Sequence, residues 1–391
     1  MRNVLIACIL AATHFSAAAH GQSTGTQHPA VALPRTQLRT IHSRHVGQDY
    51  QLRIWLPEEY TRDANARFPA MYLLDGDLLF GTASEAAQYL QWGRMLPPLI
   101  VVGIGYGSIH SPENGGTNMR TRDMSAFPEQ AAYVKDGGAK FLAFIRDELI
   151  PYVDRELRTD TSDRVLAGFS RGADFTVATL FAAPELFRRY IAIDSYYDAY
   201  FRLANDYAAT GKDLPKTIFL SSRFPRSGVQ EFAAHLKSRF PSVEVHYADA
   251  APRHFAAGAE GLVRGMKTVF NRTSVYETLL PLARDAKVET VIGEYQRLKT
   301  TEPRTYNFGE MELVELGNAL VLMKRADDAV EVYKLNLASY PSSAPTHSRL
   351  GTAYERLGNK PAALEHFRRA LELNPADRFA ADAIKRLESG R

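Results

Sequence analysis

Between Arg164 and Ala173 the chain reads RVLAGFSRGA, which places Ser170 between Gly168 and Gly172 in a G-x-S-x-G pattern. A hydroxyl is a weak nucleophile until a base takes its proton, and a serine held on a tight strand-to-helix turn is presented to such a base. Glycines two residues to either side suit that turn, because a Cβ at those places would meet neighbouring backbone. The flanking sequence agrees: Val165-Leu166-Ala167 reads as a buried parallel strand, and Ala173 to Ala183 as a helix of small and apolar residues. Ser170 is therefore the candidate nucleophile.

A base must come within hydrogen-bond reach of it. His254, in Ala251-Pro252-Arg253-His254-Phe255, follows the expected strand Val243 to Tyr247 and is the candidate. Its rival, His246, lies inside that strand, where a packed or surface histidine is the ordinary reading. The other histidines, His42, His45, His110 and His235 among them, have no metal-ligand spacing, so neither a metal nor a cofactor is expected. The acid that would orient the imidazole stays open. Glu231 is the first carboxylate after the expected strand Thr217 to Leu220, and Asp198 follows the one ending at Ile193. A serine-histidine dyad without an acid is the third possibility. For the oxyanion, the N–H of Arg171 and that of Gly76 or Asp77 are the candidate donors. Arg120 and Arg122 are candidates for binding an anionic substrate, among a set of loop arginines that includes Arg171, Arg223, Arg226 and Arg253.

The elements that must carry these groups alternate. Gln37 to Val46 and Tyr50 to Leu56 predict an antiparallel hairpin. Ala70 to Leu74 and Leu99 to Ile104 predict buried parallel strands, and Gly138 to Leu157 predicts an amphipathic helix interrupted at Pro151. The whole order predicts an α/β-hydrolase: an open, mostly parallel sheet with helices on both faces, over residues 34–272. A helical connector over 273–309 follows. From about Glu310 a 34-residue period appears: Leu316-Gly317, Ala329, Tyr333 and Pro341 return as Leu350-Gly351, Ala363, Phe367 and Pro375. That period predicts two tetratricopeptide repeats and a capping helix over 310–391. Because two repeats bury little apolar surface alone, they are expected to dock on the preceding domain and to border its substrate entrance.

The chain has 391 residues, 45% of them hydrophobic, with a net charge of +3. Its Lys and Arg residues are scattered, which argues against a nucleic-acid partner. Arg2, the apolar run Val4 to Ala12 and Ser16-Ala17-Ala18-Ala19 have the order of a secretory signal over residues 1–19. A periplasmic or secreted protein without a membrane span is expected, and removal of the signal takes away the one cysteine, Cys8. Gly21 to about Leu33 predicts a disordered lead-in.

Tyr72-Leu73-Leu74-Asp75-Gly76-Asp77, Val101-Val102-Gly103-Ile104, Arg120-Thr121-Arg122-Asp123, the Ser170 motif and the late His254 together resemble the esterase family that includes the enterobactin and salmochelin siderophore esterases. The resemblance covers about Gln37 to Phe270. It implies hydrolysis of a small-molecule ester through an acyl-serine intermediate, and the dyad of some siderophore esterases suits the missing acid. An anionic acyl or catecholate substrate is what the loop arginines are expected to bind. Two departures stand out: Arg171 replaces a small or aromatic residue after the nucleophile, and the aspartate-bearing turn after Leu220 is absent. The alternative is a binding protein in which the repeats capture a partner.

Overall fold

Polar-apolar alternation pairs the first two strands. In β1 (Thr36–Ser43) and β2 (Gln48–Trp55) the side chains of Tyr50, Leu52 and Ile54 are buried while those between them are not. A computed structural model describes residues 32–389 apart from 63, 126–136, 225–227 and 304. The expected signal segment, with Cys8, lies outside the described residues, as do Arg226 and most of the lead-in.

Six further strands complete an eight-stranded sheet: β3 (Phe68–Leu73), β4 (Ile100–Gly105), β5 (Thr159–Phe169), β6 (Arg189–Ile193), β7 (Thr217–Ser222) and β8 (Glu244–Asp249). Their order is β1-β2-β4-β3-β5-β6-β7-β8. β2 runs antiparallel to both of its neighbours, and every other pairing is parallel. The strands from β3 to β7 are covered on both faces, which is why they read as continuous apolar runs. The principal helices are α1 (Gly76–Trp92), α2 (Arg171–Ala182), α3 (Val229–Arg239) and α4 (His254–Val269). On one face Met71, Val101, Val165, Ile191 and Phe219 pack with Leu79 and Phe80 of α1 and Leu262 and Met266 of α4. On the other, Tyr72, Val102, Leu166 and Tyr190 pack with Phe175 and Leu180 of α2 and Phe232 and Leu236 of α3. This is the α/β architecture that the element order predicts.

The helix expected over Gly138 to Leu157 is α-helical over Gly137–Phe144 and Ile150–Glu156, with a π-helical turn at Ile145–Leu149 between them. Pro151 has no N–H to return to the preceding turn, and the wider turn absorbs that missing bond.

Beyond the sheet, β9 (Thr273–Ser274) pairs in parallel with β10 (Tyr306–Asn307). Between and after them lie α5 (Val275–Asp285), α6 (Val288–Thr301), α7 (Glu310–Leu322), α8 (Ala326–Ser339), α9 (Ala344–Arg356), α10 (Lys360–Leu373) and α11 (Arg378–Ser389). A Cβ on Gly317 would lie 2.3 Å from the Tyr333 ring, and one on Gly351 2.7 Å from the Phe367 ring. Small residues of one helix thus admit the aromatic of the next, as the 34-residue period requires. Val275, Leu279, Tyr295 and Leu298 pack with Leu313, Leu316 and Leu320, a core made of residues from Val275 onward. Arg94, just past the end of α1, pairs with Glu315 of α7 at 2.6 Å. That end of α1 is about 25 Å from Gly76 at 1.5 Å per residue. At this contact the repeat region meets the far end of α1 rather than the elbow, contrary to the expectation that it borders the substrate entrance. No described helix is long and apolar enough to cross a membrane.

Candidate active site

Three neighbouring strands end in non-glycine residues with left-handed backbone. Asp75 after β3 has φ 56°, Ser170 after β5 has φ 57°, and Asp194 after β6 has φ 58°. Such conformations cost about 1–3 kcal/mol each and persist where the surroundings over-determine them. Here the sheet itself does so. Leu74 N–H donates to Ala167 O at 2.9 Å, Ser170 N–H to Ile193 O at 2.8 Å and Asp194 N–H to Ser221 O at 2.8 Å, so each turn is tied to the next strand. Two glycines are obligatory. A Cβ on Gly168 would lie 2.2 Å from Gly172 O, and one on Gly76 2.6 Å from the Gly103 carbonyl carbon.

His254 opens α4, and its ring centroid lies 4.5 Å from that of Phe169, the residue before Ser170. Gly258, one turn on, would place a Cβ 3.2 Å from the same phenyl ring, so its lack of a side chain lets α4 settle on the elbow. His254 Nδ1 donates to Asp194 Oδ2 at 2.6 Å, because an ionised carboxylate can only accept. That tautomer leaves Nε2 with the lone pair a general base needs. The Asp194 side chain is fully buried. It also accepts from the Arg223 backbone N–H at 3.0 Å and from Arg223 Nε at 2.8 Å.

The carboxylate on the imidazole is therefore neither of the two that the sequence put forward. Glu231 is exposed in the first turn of α3, and Asp198 is exposed at the start of a short 3-10 turn, beside Gly228. Asp194 immediately ends a buried strand at its carboxyl edge, where α/β sheets collect functional groups, and that position was the available signal. His246 pairs with Glu244 at 2.9 Å on β8.

Arg171 and Gly172 open α2 and Gly76 and Asp77 open α1, and the first N–H groups of a helix have no intrahelical partner. The two helix starts adjoin: a Cβ on Gly172 would lie 3.1 Å from Asp75 Oδ2. Asp77 spends its carboxylate on the Tyr106 and Gly107 N–H groups and on Arg53. Arg120 grips Asp75 through Nε at 2.7 Å and Nη2 at 2.9 Å, and Nη2 also reaches Phe169 O at 3.2 Å. Burial opposes its charge, but Asp75, with Tyr106 and Asp174 adding to it, raises the guanidinium pKa overall. Arg122 pairs with Asp123 at 2.6 Å and with Gln48. Both arginines expected to bind an anionic substrate are thus engaged within the chain, and Arg120 ties the Asp75 turn to the elbow. Around His254 the surface carries exposed Phe255 and, beside Asp194, exposed Tyr196 stacked on Phe224 at 4.3 Å.

The chain is similar to known proteins in sequence and in fold. Residues 43–203 carry the family pattern described as "Putative esterase". The matched segment includes Ser170 and Asp194, and His254 follows it. Residues 344–377 match a tetratricopeptide repeat. The chain is 30% identical over 181 residues to the ferri-bacillibactin esterase BesA of Bacillus subtilis (strain 168), across 44% of this chain and 62% of that protein. It is 29% identical over 180 residues to the siderophore triacetylfusarinine C esterase of Aspergillus fumigatus, across 43% of this chain and 58% of that one. The chain spans about three fifths of the length of these curated relatives. In fold it resembles an IroE-like serine hydrolase from Shewanella oneidensis, with a TM-score of 0.59 and 20% identity, across 78% of this chain and 99% of the other.

Proposed function

We propose that the protein hydrolyses small-molecule carboxylic esters, siderophore-type esters among them, through an acyl-enzyme on Ser170. The observation that carries this reading is the His254–Asp194 hydrogen bond of 2.6 Å, set over Phe169 at the root of the Ser170 turn. Asp194 fixes the imidazole so that Nε2 takes the Ser170 proton as the hydroxyl oxygen attacks the ester carbonyl. The N–H groups of Arg171 and Gly76 receive the developing oxyanion. The imidazolium returns its proton to the departing alcohol, and His254 then activates a water that releases the acid and restores Ser170. The two similar siderophore esterases support the substrate class. The apolar leader with small residues at Ser16 to Ala19 supports export, which N-terminal sequencing of the mature protein tests.

A fluorophosphonate probe and a panel of p-nitrophenyl acyl esters, a feruloyl ester and a ferric triscatecholate trilactone test the reading. Ser170→Ala and His254→Ala are expected to abolish labelling and turnover, and His246→Ala to keep most of both. Loss of activity in His246→Ala with His254→Ala active refutes it. A second reading, capture of a protein partner by the repeats, is favoured by the Arg94–Glu315 contact, which leaves the repeats at the end of α1 away from Gly76. Repeat deletion that spares ester turnover but abolishes a partner's retention supports it.

A further inference from the structure

The Asp194 turn is tied to β7 through its own N–H, and the segment that follows it has a second hold. The Asp194 backbone is left-handed, and the residue that follows, Ser195, is buried. Ser195 Oγ donates to Asp174 Oδ1 at 2.5 Å. The Tyr200 hydroxyl donates to the same oxygen at 2.6 Å, and the two hydroxyls lie 3.2 Å apart. Tyr200 is itself buried, packed against Tyr197 and Phe232. Asp174 belongs to the first turn of α2, and its N–H donates to Ser170 O at 3.1 Å. One carboxylate thus joins the helix that starts at the nucleophile to both ends of the segment 195–200 that follows the acid. A carboxylate only accepts, so both hydroxyls are committed to it and the segment is held at two points. Arg120, which bridges Asp75 and Phe169 O, lies close enough for its charge to interact with Asp174.

We propose that Asp174 is a positioning residue for the base-acid pair: through Ser195 and Tyr200 it holds the Asp194 turn at the distance from Ser170 that lets His254 serve both. The inference rests on the reading of Ser170, His254 and Asp194 given above. Asp174 touches neither the imidazole nor, in that mechanism, the substrate, so its removal acts on the geometry of the reacting groups and not on binding. A misplacement on the scale of 1 Å costs about 10²-fold in turnover.

The test compares full-length Asp174→Ala, Asp174→Asn, Ser195→Ala and Tyr200→Phe in kcat, KM, the rate of fluorophosphonate labelling at Ser170, and Tm. Asp174→Ala is expected to lower kcat and the labelling rate by about 10- to 100-fold with KM little changed. Asp174→Asn keeps an acceptor oxygen of the same shape and is expected to recover most of that loss. Ser195→Ala is expected to give a smaller fall, and adding it to Asp174→Ala to bring no further loss, since both break one network. A merely structural role predicts a lower Tm with kcat intact. If Asp174→Ala does not fold, Ser195→Ala and Tyr200→Phe decide alone. An active wild type whose variants keep kcat within twofold overturns the proposal; a wild type inert to the probe overturns the serine-hydrolase reading and the proposal with it.

Discussion

Replacing Asp194 by Asn changes one heavy atom, and the structure predicts a large effect. Oδ2 accepts from two donors, His254 Nδ1 and Arg223 Nε, while Oδ1 accepts from the Arg223 backbone N–H. An amide has one oxygen and one NH2. If the NH2 takes the Oδ2 place it opposes both donors, and the imidazole can meet it only by presenting a bare Nδ1. The ring proton then moves to Nε2, the nitrogen that accepts from Ser170 in the proposed mechanism. If the NH2 takes the Oδ1 place it opposes the Arg223 N–H, and the negative charge that stabilises the imidazolium is still gone. A triad so disabled loses on the order of 10⁴-fold in kcat, or about 5–6 kcal/mol of transition-state stabilisation. Folding suffers less. Arg223 keeps about a quarter of its side chain in solvent, so the weakened pairing should cost about 1–3 kcal/mol and leave a folded protein. The assay is kcat on a p-nitrophenyl ester for Asp194→Asn, Asp198→Asn and Glu231→Gln, each with its Tm. The expected pattern is collapse of the first and near-wild-type turnover of the other two. Asp194→Asn within tenfold of wild type, or a hundredfold loss in either of the others, refutes the reasoning.

Two pH effects follow from buried and partly buried groups away from the site. His347 on α9 and His366 on α10 bring their Nδ1 atoms to 3.0 Å. Burial lowers both pKa values, and for His347 the charge of His366 adds to it, with Arg369 also lowering and Glu365 raising it; for His366, Glu365 raises and Lys334 lowers it. The unfolded chain therefore binds these protons more readily, so the stabilisation is complete above the ordinary value of 6.5 and is lost as pH falls through it toward the folded value. The double variant His347→Gln/His366→Gln should flatten the fall in Tm between about pH 7 and 5; an unchanged slope refutes this. Glu59 behaves oppositely. Burial, with Glu58 and Glu310 adding to it, raises its pKa above 4.5 despite Arg62. Protonation then favours the fold, and that stability is present below 4.5 and lost as pH rises through the folded value. Glu59→Gln should raise Tm at neutral pH and leave it unchanged near pH 4, and equal Tm at both refutes the sign.

The Ser170 turn, the alternation of strands and helices and the 34-residue period could be read from the chain because each depends on neighbours in sequence. Gly168 must be glycine because Gly172 O, four residues on, occupies the space of its Cβ. Tyr333 announces its repeat because Gly317, sixteen residues earlier, leaves room for its ring. The partner of His254 had no such local mark. Asp194 and Asp198 stand four residues apart in one segment, and Glu231 is the nearer to His254 in sequence. The choice fell to Asp194 because β5 and β6 are adjacent in the sheet and α4 settles against Phe169, which brings together residues sixty positions apart. The same holds for the arginines. Arg120 and Arg122 read as free cations on a loop, and only the packed chain sets Asp75 and Asp123 against them. Local sterics and periodicity are properties of sequence spacing; the pairing of charges is decided by which strand ends the fold makes neighbours.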